Sequence, residues 1–149
     1  MQNVLLSIHV LAGIIFVGGS AVAASLFPRY APVTVVGDGP PAPDRNVAVA
    51  KAFHRITGNY AVLALIVPVI GIVLAAVQGR MAEIWITIAM ALTFVAGGIL
   101  AVFIHPMQRE ALEKPDTGKR LRTLGMLAGI YNLLWTVVVV LMIVRPGAH

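Results

Sequence analysis

Four charge-poor apolar runs, separated by two basic loops and one tight turn, predict an all-α fold: a polytopic membrane protein built as a four-transmembrane-helix bundle. Three observations carry the expectation. From Val4 to Phe27 the chain reads VLLSIHVLAGIIFVGGSAVAASLF, without one Asp, Glu, Lys or Arg. Further runs of the same character cover residues 56–77, 82–104 and 124–144. Over 149 residues, 59% are hydrophobic and 11% charged, with a mean hydropathy of +0.91, whereas a soluble domain is about one quarter charged. A helix rising about 1.5 Å per residue needs roughly 20 residues to cross a hydrocarbon layer about 30 Å thick. Residues 1–149 are therefore read as one membrane domain with spans at 4–27, 56–77, 82–104 and 124–144.

The first span organises the others. Its polar atoms belong to His9 and three serines, and Gly13, Gly18 and Gly19 leave room for a neighbouring backbone. Ala21-Val22-Ala23 has the small-x-small form of a cleavage site, but the run has no basic start and exceeds a signal core in length, so it reads as a retained anchor. Pro28 and Pro32 are expected to end the helix, since proline lacks an N–H and disfavours helix in the residue before it. Residues 31–43, with four prolines and two glycines, read as an exposed and mobile loop. Asp44 is placed to cap the second helix, and Lys51 and Arg55 lie at the interface ahead of span 56–77. Pro68 should kink that span, because the Ala64 carbonyl loses its donor. Gly79 marks the turn to the third span. There Glu83 sits in the first turn, where the helix dipole favours an acid, and Trp85 fits an interfacial aromatic. His105-Pro106 closes the span, with the helix free to run on through MQREALE. Asp116 or Thr117 would cap the fourth helix, which opens with Lys119, Arg120 and Arg122 and stops at Arg145-Pro146-Gly147.

Charge sets the expected orientation. Loops 28–55 and 105–123 hold Arg29, Arg45, Lys51, Arg55, Arg109, Lys114, Lys119, Arg120 and Arg122, and the opposite side holds only Arg80 and Arg145. Nine against two places both loops in the cytoplasm and both termini outside. An Ala-, Val-, Gly- and Arg-rich composition suggests a GC-rich bacterium, hence a bacterial cytoplasmic membrane. The net charge of +5 is accounted for by these loops and argues for no nucleic-acid partner. With no cysteine, disulfides, thiolate metal sites and Fe–S ligation are excluded.

Small residues mark the expected packing faces: Gly19-x-x-x-Ala23 in the first span, Ala89, Thr93, Gly97 and Ala101 in the third, and Gly125-x-x-x-Gly129 in the fourth. They are assigned to the bundle's own interior ahead of contacts with another copy. Among polar side chains, His54 and His105 fall at the same depth, at the loop ends of the second and third helices, and His9 lies towards the far end. Neutral imidazoles suit haem iron or copper, so His54 and His105 are candidate ligands. Without a further ligand pattern, the preferred reading is two interfacial histidines beside Arg55 and Arg109. For His9 a hydrogen bond to a neighbouring helix is preferred over a quinone, proton or haem contact. Asn59, Tyr60, Tyr131 and Asn132 are the other buried polar candidates, suited to an Asn–Asn or Asn–Tyr bridge between helices two and four. No nucleophile–base pair, phosphate loop or carboxylate pair occurs, which leans away from an enzyme without deciding it, and all six acids lie in loops or at helix ends, which argues against a carboxylate-driven proton pathway through the bundle.

The stretch IHVLAGIIFVGGSAV, with His9, Gly13, Gly18 and Gly19, resembles the opening helix of copper-resistance-protein-D-like membrane proteins and their bacterial relatives of this size. FHRITGNYAVLALIVPVIGIVLA is similar to that group's second helix, and the basic linker before the last helix fits its layout. The resemblance implies a four-helix integral membrane protein, in some members linked to copper uptake; this chain departs from an importer in having no Cys and six scattered Met. A looser likeness is to the small four-helix membrane protoporphyrinogen oxidase, which expects a lysine within the second helix, where Lys51 lies outside the span. The expected role is a non-catalytic accessory or assembly subunit, its partners the lipid bilayer and other membrane subunits or itself. The alternative is a haem- or copper-binding protein in redox or metal handling.

Overall fold

The computed structural model describes residues 1–39 and 45–148; the expected cap at Asp44 lies outside the described residues. Within them the chain is all-helical. Four long helices follow one another: α1 (Gln2–Tyr30), α2 (Val47–Val77), α3 (Ile84–Glu113) and α4 (Lys119–Val144). The shortest has 26 residues, so at about 1.5 Å per residue each exceeds a hydrocarbon layer of roughly 30 Å. All four are long and apolar enough to cross a membrane.

The helices run up and down, so one end of the bundle carries the two long loops and the other carries the termini and the Gln78–Glu83 turn. Helix α1 packs along α2 and, through its second half, on α4; α3 packs on α4 and reaches α2 at the loop end. The principal core lies in the loop half. Ala24, Phe27, Ala31, Ala50, Ala96, Leu100, Ile104, Leu124 and Tyr131 form it, and Phe27 and Ile104 are wholly buried. A smaller cluster at the terminus end gathers Ala75, Trp85 and Ile86 with Met90 and Met142.

Of the prolines, Pro28 does not end its helix as expected. Helix α1 continues through Pro28 to Tyr30, and Ala31 is the first extended residue, at ψ 146°, because Pro32 excludes helix from the residue before it. The freed carbonyls of Pro28 and Ala31 accept from Arg45 Nη1 at 3.0 and 2.8 Å. The first loop is anchored at its start: Ala31 is fully buried, Val33 packs on the core, and Thr34 N donates to Asp116 O at 2.8 Å. Asn46 caps α2, its side chain accepting from Val49 N at 3.2 Å. Pro68 interrupts α2 as expected, with the break at Leu65, where Leu65 N turns back to Val62 O. Pro106 does not end α3. A π-helical stretch at Ile99–Ile104 precedes it, and the helix runs on to Glu113; a wide turn absorbs the donor that proline removes.

That stretch also overturns the expected packing face of α3. Ala89 is buried, but Gly97 and Ala101 face outward, and the inward series is Ala96, Leu100, Ile104, Gln108 and Ala111. A four-residue step on a regular α-helix drifts by about 40° each time. The wider π turn brings that spacing back into line, but for a different set of residues. Trp85 is likewise packed inside: it is 9% exposed, its indole N–H donates to Glu83, and Arg145 lies over its ring at 5.9 Å. At the far end of α3, Asp116 accepts from Gly118 N and Arg120 N at 2.8 and 3.1 Å, satisfying two donors at the start of α4.

Candidate functional site

Two polar constellations lie within the bundle, one at each end. At the loop end, α2 presents His54 and α3 presents His105, and antiparallel packing brings the rings together as depth alone suggested. They stack with centroids 4.4 Å apart at 17°. Stacking is possible because residue 58 is glycine. A β-carbon there would lie 2.7 Å from His105 Nε2.

His54 begins a directed chain of hydrogen bonds. Its Nδ1 lies 3.1 Å from Gln108 Oε1, Gln108 Nε2 donates to Thr57 Oγ1 at 3.4 Å, and Thr57 Oγ1 donates to Phe53 O at 2.8 Å. The hydroxyl of Thr57 has one hydrogen, spent on Phe53, so it accepts from Gln108. That fixes the amide's orientation and requires His54 Nδ1 to carry its hydrogen. Gln108 and Thr57 are fully buried. Neither stands out in the sequence, because Gln108 lies beyond the expected end of the third span. The readable signal is its place in the series Ile104, Gln108, Ala111, once α3 is allowed to pass Pro106.

The pair does not fit a shared ion as it stands. One metal about 2 Å from each nitrogen needs converging lone pairs, whereas lone pairs of stacked rings lie side by side, so ligation by both requires a ring to turn. Among the described residues no group of three or more His, Asp or Glu side chains gathers.

At the terminus end, His9 is separate from this pair. Its Nδ1 lies 3.0 Å from Val67 O on α2, in the turn containing Pro68, and its ring rests on Gly71, where a β-carbon would be 2.9 Å from Cε1. This is the inter-helix hydrogen bond expected of it. The ring forms part of the wall of a cavity of about 120 Å³ shared by all four helices, with Leu6, Gly71, Trp85, Ala89, Met90 and Trp135 among its lining.

The remaining polar candidates do not bridge α2 to α4. Asn132 Nδ2 donates to Ser25 Oγ at 2.8 Å, and Tyr131 Oη meets Ser20 Oγ at 2.8 Å; both partners are on α1, which lies between. Asn59 is exposed. Ser20 spends its hydrogen on Val17 O, so Tyr131 is the donor in their contact. Tyr60 lies edge-on to Phe16, centroids 5.7 Å apart, and covers Gly19, where a β-carbon would overlap its ring. Gly19 is thus a close-packing residue as expected. Gly97, Gly125 and Gly129 are not: among the described residues a β-carbon at any of the three meets nothing within 4 Å.

Comparison of the chain with protein-family models, with curated proteins and with solved structures finds no match.

Proposed function

We propose that this chain is a four-span protein of the bacterial cytoplasmic membrane, with both termini outside and both long loops in the cytoplasm, that serves as a non-catalytic accessory or assembly subunit of a larger membrane complex. The observation that carries this reading is the bare face of α4. Gly125 and Gly129 lie one turn apart on its outer side with Met126 and Leu133, which are 60% and 63% exposed. Membrane helices associate through close backbone approach at such small-residue steps, and the chain's own helices leave this one uncovered. The apolar belt around it, with Ile14, Val62, Phe94, Val102 and Ile143 all at least 64% exposed, suits lipid and would be anomalous in water. The basic loops supply the sidedness.

The absence of native cysteine allows a direct test. With Met126→Cys as the only thiol in the chain, a maleimide-linked benzophenone attached to it and photolysed in native membranes should give an adduct with a different, larger subunit. Gly129→Leu in the same background should abolish it. An adduct of twice 15.8 kDa, meaning a second copy, would replace the accessory reading with self-association. No adduct, or one indifferent to Gly129→Leu, would leave α4 facing lipid.

A further inference from the structure

We propose that the cavity at the terminus end binds a single phenolic ring, whose hydroxyl donates to His9 Nε2. The inference concerns the bundle interior and is independent of the assembly reading, which concerns an outer face.

Size comes first. The cavity is about 120 Å³, of the order of the 150 Å³ engineered cavity that takes up benzene. That is room for one six-membered ring and not for a macrocycle. Its lining then selects the kind of ring. Trp85, Trp135, Met90 and Met142 contribute flat π-faces and polarisable thioethers, which favour an aromatic ring over an aliphatic one. Gly71 and Ala89 keep the walls of α2 and α3 back.

The polar atoms select the substituent. A carbonyl oxygen only accepts, so the 3.0 Å contact with Val67 O places the hydrogen of the neutral imidazole on Nδ1. Nε2 is left as a bare acceptor on a ring that lines the cavity, and an acceptor in an apolar site calls for an O–H donor. A quinone, which offers only carbonyl oxygens, would set lone pair against lone pair; a phenol or hydroquinone supplies the hydrogen. Gln78 and the exposed Arg145 complete the lining at the end of the bundle. The phenolic ring can come from a free phenol or from the headgroup of a hydroquinone dissolved in the membrane.

Trp85 and Trp135 are the chain's two tryptophans, so their emission, excited beyond the phenol band, reports on this cavity alone. Protein in phosphatidylcholine vesicles is titrated with para-cresol and with its methyl ether, para-methylanisole, which keeps the ring and loses the donor. With concentrations expressed per lipid, cresol should change the emission saturably, and the ether should need about tenfold more, the worth of one buried hydrogen bond. Equal half-saturation for the two, or a change that never saturates, overturns the proposal. Ala89→Leu, which fills the cavity, should abolish the saturable change, and His9→Phe should weaken cresol to the level of the ether. Wild-type affinity in either variant overturns it as well. Should His9→Phe fail to fold, the two ligands on the unaltered protein still decide. A hydroquinone with an isoprenoid tail assigns the source. Binding about tenfold or more tighter than cresol supports the site as a headgroup site, and equal or weaker binding supports it as one for free phenols.

Discussion

At the scale of single residues, the bundle's polar atoms are spent in short directed chains, and each chain makes a quantitative statement. Gln108 is fully buried and serves two partners, accepting from His54 and donating to Thr57. Gln108→Met keeps the volume but leaves the His54 donor with nothing to bond, which should cost about 1–3 kcal/mol. Tyr131→Phe should cost less, about 0.6 and at most about 1.7 kcal/mol, because Ser20 keeps its bond to Val17 O. Unfolding of both variants in mild detergent checks the order; an equal or reversed ranking would mean that the Gln108 chain contributes no more than the single Tyr131 bond. Asp116 makes a statement about pH. The Gly118 amide, helped by the Arg120 amide and the charges of Arg120 and Arg122, holds its carboxyl below the ordinary range. A lowered carboxyl stabilises the fold above its unfolded value, about 3.9, and that contribution disappears as pH falls through the lowered one. Wild-type protein should therefore lose melting temperature on acidification below about pH 4, and Asp116→Asn should lose less over the same interval.

At the scale of the helix, small residues serve two purposes that look alike in sequence. Gly19, Gly58 and Gly71 each seat a ring, those of Tyr60, His105 and His9. Gly97, Gly125 and Gly129 seat nothing among the described residues. Gly19→Ala should therefore destabilise the fold by about 1–3 kcal/mol, the usual cost of overpacking. Gly129→Leu should leave the isolated protein as stable or stabilise it by up to about 1 kcal/mol, since leucine is the better helix former. Thermal unfolding of the purified variants measures both, and a Gly129→Leu protein as damaged as Gly19→Ala would place Gly129 at an internal contact. A π-helical stretch acts at the same scale. The one at Ile99–Ile104 carries α3 through Pro106 and turns His105 and Gln108 inward, so the loop-end constellation depends on a turn that hydropathy does not register.

At the scale of the whole molecule, the two long loops meet at one end of the bundle, where Thr34 N donates to Asp116 O and Val33 lies beside Gly118. Whatever faces one loop faces the other. In the proposed orientation that side is cytoplasmic. Single cysteines replacing the exposed residues Val36 and Thr117 should resist an impermeant thiol reagent in intact cells, and one replacing Ala82 should react. Labelling of the first two and protection of the third would invert the protein in the membrane.

The four helices, the Gly79 turn, the break near Pro68 and the cap at Asp116 are legible in the sequence because each has a local cause: apolar length, a positive φ, a missing donor, a carboxylate beside free amides. So is the shared depth of His54 and His105, which results from antiparallel order alone. Other features depend on how the helices pack against one another. In a chain where nearly every span residue is apolar, hydropathy does not distinguish the face that meets another helix from the face that meets the surroundings. Helix order about the bundle, which set Asn132 against Ser25 rather than against α2, is a property of contacts. The inward turn of Gln108, the outward turn of Gly125 and Gly129, and the cavity beside His9 come from helix rotation, which side-chain packing decides only once all four helices are together.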